Sequence, residues 1–177
     1  MKKFLYSYLL ISICFCLQTN LSFSQNIALG PGLSHLTQIN DTLGVGNMWG
    51  LGFHGKYFSQ GLPIALGGNI SFNGKSFDEV YRYQVYQAGG EVDIFLRKEK
   101  IRPYFGFELG VLANYRDDLS IPITNFYIDM NPKIGGIFPL SENTWLDIYA
   151  GFGYGTNNLG DFIYIPIGLG LIYDAFK

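Results

Sequence analysis

The stretch GGEVDIFLRKEKIRPYFGFELGVLANY, residues 89–115, reads with a period of two on both sides of a charged knot. Before RKEK, Val92, Ile94 and Leu96 alternate with Glu91, Asp93 and Phe95. After it, Phe105, Phe107, Leu109 and Val111 alternate with Gly106, Glu108 and Gly110. Successive side chains of a strand point to opposite faces. The stretch is therefore a hairpin with large apolar groups on one face and carboxylates and glycines on the other. Which face meets the surroundings decides the fold.

The same alternation recurs along the chain. In WGLGFHGKY, Trp49, Leu51, Phe53 and Tyr57 oppose Gly50, Gly52, His54 and Lys56. In FYIDMNPKI, Phe126, Ile128, Met130 and Ile134 oppose Asp129, Asn131 and Lys133. In WLDIYAGFGYG, Leu146, Ile148, Ala150, Phe152 and Tyr154 oppose Asp147, Tyr149, Gly151 and Gly153. The last run, IYIPIGLGLIY, sets five aliphatic residues and Tyr173 against Tyr164, Pro166, Gly168 and Gly170. Helical periodicity is almost absent, so eight strands are expected, near 26–36, 47–58, 62–73, 82–96, 101–115, 124–138, 144–155 and 162–176. The fourth changes phase near Gln87, which predicts a bulge. Connections after odd strands (TQINDTLGVG, NGKSFDEVY, RDDLSIPI, TNNLGD) read as long and polar, and those after even strands as shorter.

The chain has 177 residues, enough for one domain with a sizeable core. Its start has the form of a secretory signal: Lys2 and Lys3, an apolar run from Phe4 to Leu17, then small residues at Ser22 and Ser24. Residues 1–24 are expected to be cleaved, leaving a single domain over 25–177. Cys14 and Cys16 would leave with the signal, so no disulfide is expected. Lys2 and Lys3 leave too, so ten basic residues face fourteen acidic ones, a net charge of −4. That mild excess, with no basic block, excludes nucleic acid as an expected partner. Charged residues are only 15% of the chain, against roughly 25% in an ordinary soluble domain. Aromatics are 17%, and there are 23 glycines.

A soluble lipocalin-like barrel also alternates, with its apolar face inward. Here the polar face would make an unusually bare exterior, because it is mostly glycine with scattered single ions. As the lumen of an eight-stranded barrel it makes sense, since that lumen is just wide enough for side chains to fill. Glycines there would let Tyr149 or Tyr164 lie across the interior. The ions of that face carry both signs and predict an internal network of His54, Lys56, Glu91, Asp93, Arg102, Glu108, Asp129, Lys133 and Asp147, with Asp174 beside it. Facing lipid, one such Arg or Lys would cost ~2–4 kcal/mol at the midplane. Trp49, Tyr57, Tyr104, Tyr115, Phe126, Trp145, Tyr154 and Tyr173 lie toward segment ends as candidate interfacial girdles. The expected fold is an all-β, transmembrane, up-and-down antiparallel barrel of eight strands, with the apolar face toward lipid.

With its export signal, eight alternating segments and closing strand IPIGLGLIYDAF, the chain resembles the small outer-membrane β-barrels of Gram-negative bacteria, the OmpX-like and OmpA-barrel-like proteins. The resemblance spans residues 25–177 and is architectural. It implies residence in the outer membrane, contact with membrane lipid and lipopolysaccharide, and delivery by the barrel-insertion machinery. Family barrels usually end on an aromatic residue; here Phe176 is penultimate.

Catalytic patterns are sparse. Ser34 and His35 are strand neighbours, so they point to opposite faces and do not pair as a hydrolase requires. The glycine-rich runs precede no helix, which removes a phosphate loop. No cofactor or metal is expected. The expected role is non-enzymatic: a structural, surface-interaction or envelope-complex subunit, with other envelope proteins as partners. A minor small-solute pore, a lipid-directed enzyme and a soluble exported binding barrel are the alternatives.

Overall fold

The computed structural model describes residues 27–40, 46–59, 62–77, 81–96, 101–117 and 123–174. The expected signal, residues 1–24, lies outside them. The strands are β1 (Ile27–Gln38), β2 (Asn47–Phe58), β3 (Ile64–Phe77), β4 (Tyr81–Phe95), β5 (Arg102–Asp117), β6 (Ile123–Pro139), β7 (Thr144–Gly151), β8 (Gly153–Asn157) and β9 (Gly160–Asp174). All pairings are antiparallel, and β1 closes the sheet on β9. β7 and β8 are halves of one barrel strand, since both lie between β6 and β9 in one continuous register. The interruption falls at Phe152, whose N–H donates to the Pro132 carbonyl at 3.0 Å. Pro132 has no N–H to give in return, so the ladder lacks one bond there. The barrel therefore has the eight strands its alternation predicts.

Following the pairing once round, Leu29 meets Gly55, then Gly68, Gly90, Leu109, Met130, Tyr154 and Ile163. Ile163 in turn accepts the amide of Ile39, ten residues above the start. A stagger of that size tilts the strands by roughly 40°, within the usual range for closed barrels.

Two expectations fail. β4 pairs with β3 and β5 in unbroken register, so there is no bulge at Gln87. The apparent phase change arises because Tyr83 and Val85, although apolar, point inward with Gln87, Glu91 and Asp93. Nor do the two ends differ in connection length. Three residues join β3 to β4 and two join β8 to β9, whereas five and six join β2 to β3 and β4 to β5. The strands run on into the polar stretches, reaching 17 residues in β6, while about 9–11 span a membrane. At the β8–β9 turn the Asn157 side chain accepts the amides of Leu159 and Gly160 at 2.7 and 3.0 Å. Gly160 takes a φ of 147°, open to glycine, which lets the hairpin close in two residues.

Polarity is inverted relative to a soluble protein. Leu51, Ile70, Phe105, Leu109 and Ile128 stand exposed on the outer wall, and Phe126 is 69% exposed. Asp129, three residues from Phe126, is 1% exposed and points inward. From the opening hairpin, Ile94, Leu96, Phe105, Phe107, Leu109 and Val111 all face out, and Glu91, Asp93 and Glu108 face in. A continuous apolar wall of this extent belongs against lipid.

The interior is layered, which alternation did not predict. At the loop end an apolar cluster of Leu36, Met48, Tyr83, Val85, Leu112 and Phe162 fills the barrel. At the end holding Ile27 and Asp174, Ala28, Ala65, Phe95, Tyr104, Ile137 and Ile172 do the same, with Phe58 and Trp145 packed on them. Two of the candidate girdle aromatics therefore lie inside. Tyr104 shares the parity of Glu108, and Trp145 that of Asp147, so position near a strand end was the wrong guide. Trp49, Phe126 and Tyr173 are on the wall, where the Trp49 ring packs against His35 with centroids 4.5 Å apart and planes tilted by 59°.

Candidate functional site

Between the two plugs lies a polar layer drawn from all eight barrel strands. Lys56 on β2 projects inward from the midst of three carboxylates, with its Nζ 2.6 Å from Asp93, 2.7 Å from Asp147 and 3.4 Å from Glu91. Lys133 on β6 meets Glu91 directly and lies 3.8 Å from Glu108. Glu91 thus bridges the two lysines. Both ammonium groups also sit over aromatic rings, Lys56 over Tyr104 at 4.5 Å and Lys133 over Tyr149 at 5.0 Å. The Tyr104 hydroxyl donates to the second oxygen of Asp147 at 2.8 Å. Low-dielectric surroundings strengthen each of these contacts and make any missing partner expensive.

Glycines make the layer fit. A methyl group on Gly106 would collide with Asp93 and Lys133, on Gly168 with the ring of Tyr149, and on Gly153 with the ring of Tyr164. Each large lumen side chain thus lies across a bare stretch of the neighbouring strand. The expectation that Tyr149 and Tyr164 span the interior has this geometric basis.

Toward the loop end the layer changes character. Asp129 is held by neutral donors, the Tyr164 hydroxyl at 2.8 Å and the Gln87 amide at 3.3 Å. Gln87 also donates to Tyr164 at 2.6 Å, and Ser34 donates to Asn73 at 2.7 Å. Asn114 donates to the Tyr83 hydroxyl at 2.8 Å inside the upper plug.

Of the nine residues expected in the network, the structure brings Lys56, Glu91, Asp93, Glu108, Lys133 and Asp147 together as one ion cluster. His54 is buried beside it, its ring lying against Gly170. Asp129 stands apart in the neutral half. Arg102 has the parity of the lumen face but lies at its rim, partly exposed, with no ion pair to a described carboxylate. The side chain of Asp174 lies outside the described residues. Pattern reading missed Tyr104 and Gln87 as members of the layer, although each shares strand parity with a member it did name.

Ser34 faces the lumen and His35 the outer wall, so no Ser–His pair forms. Among the described residues no group of three histidines, cysteines or carboxylates converges as a metal centre would need. What the layer can do chemically is hold charge and block passage.

No family model and no curated protein sequence matches the chain. Solved structures do. The crystal structure of Neisserial surface protein A superposes with a TM-score of 0.71 at 12% identity, covering 84% of this chain and 96% of that one. The outer membrane protein OprG of Pseudomonas aeruginosa gives 0.60 at 10% identity, covering 86% and 97%. Ail, the attachment invasion locus protein of Yersinia pestis, gives 0.58 at 15% identity, covering 84% and 96%. At such identities what is shared is the backbone fold, over nearly the whole length of each of those chains. The chain has the fold of the small eight-stranded outer-membrane β-barrels.

Proposed function

We propose that this chain is a non-enzymatic outer-membrane protein that works through its outer wall and loop end, as a structural, surface-interaction or envelope-complex subunit. The carrying observation is the blocked lumen. Two apolar plugs enclose a polar layer whose lysine lies 2.6 and 2.7 Å from two carboxylates on other strands. A solute crossing it would have to displace Phe95, Phe162 and the ion cluster together. Residence in the outer membrane is supported by the apolar wall and by the likeness to OprG, which is named as an outer membrane protein. Membrane lipid, lipopolysaccharide, the insertion machinery and neighbouring envelope proteins are the partners this reading requires.

Single-channel recording of the purified barrel in planar bilayers tests it. No steady conductance is expected; reproducible open steps would make the protein a small-solute pore. Mild-detergent extraction through a loop tag then sorts the remaining roles. A stoichiometric set of co-purifying envelope proteins marks a complex subunit, and a lone barrel marks a free-standing surface protein.

A further inference from the structure

The polar layer is short of positive charge. Among the described residues it buries five carboxylates, Glu91, Asp93, Glu108, Asp129 and Asp147, against two lysines, Lys56 and Lys133. Lys56 is engaged by three of those acids, and Lys133 is committed to Glu91. Glu108 is left with Lys133 at 3.8 Å and a hydrogen bond from Asn69. Beside Glu108 the lumen contains a cavity of about 30 Å³, lined also by His54, Asn69, Ser71, Gln87 and Asn131. A space for one water needs about 10–15 Å³ on this measure, so the cavity has room for an ion with a water, or for two waters.

Two side chains lining that cavity have a buried polar atom without a partner. They are Nε2 of His54, which is 8% exposed, and Oδ1 of Asn131, which is 3% exposed. Buried polar groups are rarely left unpaired, and each such group asks what meets it. We propose that the cavity is a binding site for one alkali-metal cation, held by the Glu108 carboxylate and the neutral oxygens around it, with a water joining it to His54. The donor set selects the charge. One carboxylate among amide and hydroxyl oxygens suits a hard monovalent ion, whereas calcium requires six to eight oxygens, usually with several carboxylates. This goes beyond the blocked-lumen reading, since a closed barrel can be built with or without the ion.

The test is equilibrium unfolding of the full mature barrel in phosphatidylcholine vesicles, at matched ionic strength in sodium, potassium or choline chloride. Binding to the folded state alone raises the midpoint with ion concentration. The midpoint is expected to climb with sodium or potassium and to stay flat with choline, and Glu108→Gln should abolish the climb. A flat response to all three salts overturns the proposal and leaves water or a proton in the cavity. A climb that survives in Glu108→Gln overturns it too, because the ion then binds elsewhere. Should that variant fail to fold, anomalous diffraction from wild-type crystals grown with thallium(I) decides. A peak beside Glu108 supports the site, and a cavity without one refutes it.

Discussion

Glu108 and Leu109 are neighbours in β5 and stand in opposite solvents. The carboxylate of Glu108 is enclosed with Lys133 and Asn69, while Leu109 projects from the outer wall. The same contrast repeats at Asp147 and Ile148 on β7. In the lumen a charge is an asset because partners on other strands wait for it. On the wall the identical charge would have only hydrocarbon. One residue of slip would exchange the two sets, which is why an unbroken register is needed all the way round.

The largest effect is expected where a lumen charge is removed. Lys56→Met would strand Asp93 and Asp147 without their cation, and breaking a buried ion pair costs about 3–5 kcal/mol. Unfolding in lipid vesicles, followed by the fluorescence of Trp49 on the wall and Trp145 in the plug, reads that loss. An unchanged midpoint would mean that the ion cluster does not hold the barrel together.

Adding a charge to the wall comes next. Leu109→Arg should lower stability by ~2–4 kcal/mol if the residue sits near the bilayer midplane. Equal tolerance of Arg at 109 and Leu at 108 would reverse the assignment of the two faces. The same vesicle assay, comparing Leu109→Arg with Leu109→Ala, separates the cost of charge from that of lost bulk.

The smallest effect belongs to the neutral half of the lumen. Tyr164→Phe removes one donor from Asp129 but leaves Gln87, so a loss of about 1–2 kcal/mol is expected. A loss as large as that of Lys56→Met would show that both halves act as one unit. Combining the two substitutions measures the coupling directly.

Much of this was legible one residue at a time. Alternation located the strands and placed Ile94, Phe105 and Leu109 on one face and Glu91, Asp93 and Glu108 on the other. Where polarity and parity disagreed, pattern reading went astray. Tyr83 and Val85 suggested a bulge because they are apolar and inward, and Tyr104 and Trp145 were placed on the wall because they lie near strand ends. In each case an apolar residue fills the barrel's end, a need that arises only once the sheet has closed. The short β8–β9 turn was read as a longer connection because hydrogen bonding continues through polar residues as readily as apolar ones.

Alternation is a property of adjacent residues, set by the geometry of an extended backbone, so the sequence by itself determined the strand number, the two faces and the class of surroundings. Partnership is different. Lys56 and Asp147 lie on β2 and β7, far apart in sequence, and they meet at 2.7 Å only because β1 closes on β9 and brings the two ends of the sheet together. The tertiary structure alone decided which carboxylate each lysine serves, which acid is left with neutral donors and where a cavity remains. Those outcomes depend on distances across a closed barrel, and no local pattern encodes them.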